Sequence, residues 1–173
     1  DFMPKIAAGG REAAVVWLGN SENDMLGVSG ANSVFLSTYN GSEWSAPQQI
    51  FETQNPVMNL DVGFVNGEVS VALDVDPDGD AYTLEDREIF LKKGMAGFER
   101  LTNNETLDSG AQFAELGGET ALFWYADGNI AYQTFSENSG LHTVFAEQKA
   151  DLSDTFEIIT NGENTALTWS KEI

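Results

Sequence analysis

Four segments of this chain resemble one another: "AAVVWLGN" (13–20), "VSVALDVD" (69–76), "ALFWYADG" (121–128) and "ALTWSKEI" (166–173). Trp17, Leu73, Trp124 and Trp169 occupy matching places, at steps of 56, 51 and 45 residues. A recurrence at this spacing constrains the fold more than any composition does. Each unit is too small to bury its own apolar face, so neighbouring units must stack to make a core.

The units read as strands. In 68–75, Val69, Val71, Leu73 and Val75 alternate with Glu68, Ser70, Ala72 and Asp74, the period of two of a pleated strand. Shorter apolar stretches precede the four segments: "PKIAAGG" (4–10), "NLDVGFVNG" (59–67), "AQFAELGG" (111–118) and "TFEIITNG" (155–162). Extended segments follow the first three at 32–41, 87–94 and 128–136, and further ones close each unit at 45–52, 97–103 and 142–148. Asn-Gly, Gly-Gly and Asp-Gly pairs fall between segments, where hairpin turns need positive φ. No long stretch holds a helical period. Four short antiparallel strands per unit is the pattern of a propeller blade. The expected fold is all-β and β-propeller-like, with about three and a half four-stranded antiparallel blades. Residues 1–173 form one propeller segment, with blades near 4–54, 56–104 and 108–150 and a partial one at 154–173. A β-sandwich is the alternative, but it gives no reason for the repeat. An incomplete ring would expose apolar blade surface. The expected partners are therefore the remaining blades, a complementary chain, or a second copy in a homodimer. The start at Asp1 rather than Met fits a processed or excised segment.

Composition narrows the function. The chain holds 28 acidic residues against 8 basic ones, a net charge of −20. Such a surface repels phosphate backbones and anionic membranes. It suits solubility and divalent cations. Cysteine is absent and His142 is the single histidine, which excludes disulfides, thiolate chemistry and His- or Cys-based zinc sites. No apolar run reaches membrane-spanning length.

"STYNGSEWSAP" (37–47) falls between the third and fourth strands of the first unit. It resembles a degenerate Asp-box, the S-x-D-x-G-x-T-W hairpin of bacterial sialidases and related propellers. Ser37, Gly41 and Trp44 match in spacing; Tyr39 stands at the Asp position and Glu43 at the Thr position. The cues "DGDAYTLEDREIF", "RLTNN" and "WYADGNIAYQ" extend the resemblance to propeller-like repeat regions of bacterial secreted and cell-surface proteins. That resemblance implies an extracellular or surface location and a carbohydrate- or protein-binding, scaffolding role without catalysis. Sialidase activity would need an arginine cluster, and the chain offers only the dispersed Arg11, Arg87 and Arg100. The alternative is a fragment of a glycoside-active propeller enzyme whose catalytic residues lie in other blades.

"DVDPDGDAYTLE" (74–85) matches a twelve-residue calcium loop. Asp74, Asp76 and Asp78 take ligand positions one, three and five, Asp80 position seven and Glu85 position twelve, with Gly79 at the turn. Tyr82 falls at position nine, and Asp86 competes with Glu85 as the distal ligand. Calcium takes six to eight oxygens, which alternating carboxylates supply. The flanks are strands, however, and Pro77 and Ala81 depart from the strict helix–loop–helix pattern. The loop is expected to join the second and third strands of one unit and to bind calcium as a structural ion, not as a sensor. The other reading is a solvated loop, since seven acids within 74–88 face one base, Arg87. The equivalent "NSENDMLG" (20–27) is expected to be a solvated turn.

Trp17, Trp124 and Trp169, with Phe123 and Tyr125, could line a sugar-binding face, but recurrence marks the tryptophans as packing between blades. Trp44 reads as a hairpin staple. Tyr39, Tyr125 and Tyr132 are not equivalent to one another and are better ligand candidates. No catalytic set emerges, and His142 has no nucleophile partner in a recognisable motif.

Overall fold

Two-residue turns set the topology. Asn66-Gly67, Gly117-Gly118 and Asp127-Gly128 all have positive φ at both positions, the backbone that closes a tight hairpin without splaying its strands. In the computed structural model, residues 1–136, 140–144, 156–161 and 164–169 are described. The strands are β1 (Phe2–Gly9), β2 (Glu12–Asn20), β3 (Asn32–Tyr39), β4 (Gln48–Thr53), β5 (Val57–Val65), β6 (Glu68–Val75), β7 (Glu88–Lys93), β8 (Glu99–Arg100), β9 (Asp108–Leu116), β10 (Glu119–Ala126), β11 (Asn129–Thr134), β12 (Leu141–Val144), β13 (Phe156–Thr160) and β14 (Thr165–Trp169). The described residues form no helix.

These strands make three four-stranded antiparallel meanders, β1–β4, β5–β8 and β9–β12, and one hairpin, β13–β14. Every strand pairs with its neighbour in sequence. The protein is therefore all-β with a repeated four-stranded architecture. The extended segment expected at 87–94 forms strand β7 (Glu88–Lys93). The expected extension of 142–148 beyond Val144 and of 166–173 beyond Trp169 lies outside the described residues.

The repeat appears in the register. Trp17 pairs with Phe35, Leu73 with Phe90 and Trp124 with Ala131. The first strand of each meander carries a register shift near its start, between Phe2 and Lys5, between Val57 and Asn59, and opposite Phe123 to Tyr125 in β9.

The sheets pack face to face in series. Ala14, Val16, Leu18 and Val34 of the first sheet bury against Leu60, Val62, Val71 and Leu73 of the second. The other face of the second sheet, with Ala72, Ile89 and Leu91, meets Ala111, Leu122 and Trp124 of the third. Ala121, Phe123, Tyr125 and Ile130 of the third then meet Phe156, Ile158 and Leu167 of the hairpin. Each interface removes apolar surface from water at roughly 25 cal/mol per Å². Approach is close where a side chain is missing: a Cβ on Gly63 would stand 2.6 Å from the Phe113 ring of the next sheet.

The matching positions now separate. Leu73 and Trp124 are buried under the sheet that precedes them. Trp17 is only half-buried and stacks on Phe35, ring centroids 5.7 Å apart, on the outer face of the first sheet. Leu73→Ala should lower the unfolding free energy by about 2–5 kcal/mol. Trp17→Ala should cost only about 1 kcal/mol, the scale of one aromatic pair. Urea unfolding of both variants in dilute solution measures the difference.

Candidate metal centre and buried carboxylates

The acidic loop runs from Asp76 to Arg87 between β6 and β7. β6 ends at Val75, so Asp74 is held in the ladder while Asp76 has left it, and the two carboxylates part. Asp74 points into the next sheet. Its Oδ2 accepts from the Gly110 amide at 2.5 Å and its Oδ1 from the Ala111 amide at 3.3 Å. Those amides lie where β9 shifts register against β10, which leaves them to a side chain. Burial pushes the Asp74 carboxyl up to about 7, against the pull of these two hydrogen bonds and of the Arg87 charge. Asp61 does similar work one row along, accepting from the Phe113 amide at 2.7 Å, and Asn59 Nδ2 donates to Ala111 O at 3.0 Å. Three polar side chains of the second sheet thus hold the backbone of the third.

Asp76 turns into the loop and is fully buried. Its amide donates to Pro56 O at 3.0 Å, and its Oδ1 accepts from the Gly79 amide at 3.2 Å. Its Oδ2 accepts no hydrogen bond and lies 3.7 Å from Arg87 Nε. Carboxylate oxygens of Asp76, Asp78 and Asp86 lie within 4.8 Å of one another, and this acidic triad could hold a metal ion. Burial, contact with Asp78 and the charges of Asp86 and Asp78 push Asp76 up to about 6, while Arg87 pulls it down.

Of the five carboxylates that the loop pattern selects, the structure brings together Asp76 and Asp78. Asp74 faces the sheet interface. Asp80 caps its own turn, accepting from the Tyr82 amide at 3.1 Å. Glu85 is exposed and accepts from the Leu84 amide at 3.2 Å, and hydrogen bonds from its own backbone and that of Leu84 hold its carboxyl below the ordinary value. Asp86, weighed against Glu85 as the distal ligand, is the one beside Asp76 and Asp78.

Sequence patterning missed two buried acids. Glu88 is fully buried and takes Arg100 Nη2 and the Asn104 amide, each at 2.8 Å. Asp108 accepts from Trp124 Nε1 at 2.9 Å and from Asn104 Nδ2 at 2.7 Å, and burial raises its carboxyl. Trp124 is the packing residue expected of it, and its indole N–H is why an acid can sit beneath it.

The Asp-box-like hairpin closes through Ser37 Oγ, which donates to Ser45 O at 2.8 Å, and through the Tyr39 and Trp44 rings, 5.5 Å apart. The turn acceptor is Asn40, one residue beyond Tyr39, which takes the amides of Ser42 and Glu43 at 3.0 Å each. Of the tyrosine ligand candidates, Tyr125 is a core residue, edge-on to Phe156. Tyr132 lies between Phe123 and His142. Tyr39 borders a groove of about 350 Å³ between the first two sheets, shared with Leu36, Phe64, Lys92 and Met95.

No protein-family model matches the chain, and no curated protein matches it.

Asp61 supplies a pH test. Its carboxyl is raised above the ordinary 3.8, first by burial, with the Phe113 and Val62 amides and Lys5 opposing. Below that value both states carry the proton. Above it the unfolded chain ionises first, so stability should fall as pH rises until the folded carboxyl also ionises. Asp61→Asn should flatten that fall in thermal melts collected from pH 3.5 upward.

Proposed function

We propose that the chain is a non-enzymatic, propeller-type module that presents a surface to a glycan or protein and is completed by further sheets. The observation that carries this reading is the serial packing. Each sheet offers its Leu73-type face to the sheet before it and its opposite face to the sheet after it. The first sheet's Trp17-type face, with Ile6, Val15 and Phe35, has no sheet against it among the described residues. An aromatic and aliphatic face of this kind is an association surface. The partner that fits is another four-stranded sheet of the same repeat, whether from further blades, a complementary chain or a second copy.

The Asp-box-like hairpin supports kinship with bacterial extracellular or cell-surface propellers, and the groove beside Tyr39 is the candidate ligand surface. Calcium serves as a structural ion on the β6–β7 loop, stiffening the connection. The alternative, a fragment of a sialidase-like enzyme, draws less support: Arg87 and Arg100, two of its three arginines, are paired with Asp76 and Glu88.

Sedimentation analysis over a concentration series tests the open face. The chain should associate, and Trp17→Glu should abolish association while lowering the dilute melting temperature by only about 2–4 °C. A wild-type chain that stays monomeric at about 0.1 mM, above the range where specific contacts of this kind are expected to hold, would remove the association surface from the reading.

A further inference from the structure

The internal repeat places two connections in the same setting and solves their electrostatics differently. Asn20 and Asp76 both stand three residues beyond the matching Trp17 and Leu73. Continuing the two registers, Asn20 faces Asn32 and Asp76 faces Arg87.

In the first loop the side chain at this position is fully used. Asn20 Nδ2 donates to Asn32 Oδ1 at 2.9 Å and to Ser29 O at 2.8 Å. Its Oδ1 takes the amides of Glu22 and Asp24 at 2.8 and 2.9 Å. Of the loop's two acids, Glu22 is exposed and Asp24 is satisfied by the Leu26 and Ser29 amides.

The second loop has a carboxylate where the first has an amide nitrogen. Asp76 Oδ2 is buried and accepts no hydrogen bond, and the same holds for Asp86 Oδ1. Arg87 does not close the gap. Its Nη2 goes to Ala81 O at 2.8 Å, its Nε is buried without an acceptor, and the ion pair to Asp76 stays at 3.7 Å. Three carboxylates against one guanidinium leave the cluster two negative charges in excess. Asp78 is exposed and takes the Asp80 amide at 2.7 Å, but the free oxygens of Asp76 and Asp86 are buried, and burying such atoms without donors is costly.

We propose that Asp76, Asp78 and Asp86 form a binding site for one hard divalent cation of the calcium class, which takes over the bonding that the Asn20 amide nitrogen provides in the first loop. All-oxygen ligands suit calcium and exclude the softer metals that need thiolate or imidazole. The site is a latch between connections. Asp76 is joined through its amide to Pro56 O, and Asn55 Nδ2 donates to Pro77 O at 2.7 Å while Asn55 O accepts from Asn32 at 2.9 Å. Residues 55–56, between the first and second sheets, are thus gripped by the second loop and by Asn32, the β3 residue to which Asn20 is bonded. A cation that fixes the second loop fixes the junction of the two sheets.

This proposal rests on the reading of calcium as a structural ion, and it replaces the ligand set that the twelve-residue pattern implies. The test is calorimetric titration of chelator-treated chain with calcium chloride, paired with thermal melts in calcium and in chelator. Wild type should bind one calcium and melt higher in its presence, since a ligand of the native state stabilises by mass action. Asp86→Asn, at a half-buried position, should weaken binding by about tenfold or more. Asp76→Asn should fold, as Asn20 does at the equivalent place, and should lose the calcium-dependent rise in melting temperature. Asp80→Asn and Glu85→Gln should bind as wild type does. Absence of binding and of any thermal shift in wild type overturns the site. So does a loss of affinity in Glu85→Gln or Asp80→Asn with Asp86→Asn unaffected. Neither failure bears on association through Trp17, which sedimentation reads separately.

Discussion

Face-to-face burial between successive sheets is the interaction on which the rest of this structure depends. A four-stranded meander with two apolar faces cannot stand alone in water. Here the second sheet is covered on both faces, by Val16 and Leu18 on one side and by Leu122 and Trp124 on the other. That double cover explains why β6 is buried on both faces from Ser70 to Val75 although its sequence alternates. It also explains the inward carboxylates. Once β6 is buried on both sides, any acid on it must find donors in a neighbouring sheet or loop. Asp74 finds them on Gly110 and Ala111.

The register shifts near the start of each first strand belong to the same logic. A shift leaves backbone amides without a ladder partner. In β9 those amides face the second sheet, and Asp74 and Asn59 bond the backbone there. The sheets are therefore joined by apolar packing and, at one edge, by side chains that bond directly to the next sheet's main chain. The second of these contributions depends on geometry and is the one that titrates.

Much of the fold was legible in the sequence, because hairpin chemistry and period-two alternation are local. Asn66-Gly67, Gly117-Gly118 and Asp127-Gly128 mark their own turns, and the alternation around Val71 and Leu73 marks its own strand. The site was less legible. The pattern D-x-D-x-D-G counts residues along the chain and assumes that alternate acids converge. Residues 74 and 76 do share a strand face by parity, but β6 ends at Val75. Asp74 is still in the ladder while Asp76 has left it, and the two carboxylates part. At the far end, Glu85 is spent on a local backbone bond and Asp86 turns inward. Glu88 and Asp108 escaped notice for a related reason: nothing local says that an acid will be buried when its partners, Arg100 and Trp124, come from other strands.

The two loops show how a repeat can diverge without losing its architecture. A shared backbone needs something at the Asn20 and Asp76 position that reaches across to the following strand. An amide does this with its own donor and acceptor, and the first loop then requires nothing from solution. A carboxylate supplies only acceptors, so the second loop offers no donor of its own at this position. Arg87 stands in the right register, yet its guanidinium is drawn to Ala81 O and leaves Asp76 Oδ2 unbonded. The same exchange, amide for acid, leaves the second connection with a buried acceptor that the first does not have, while the strands on either side keep their register.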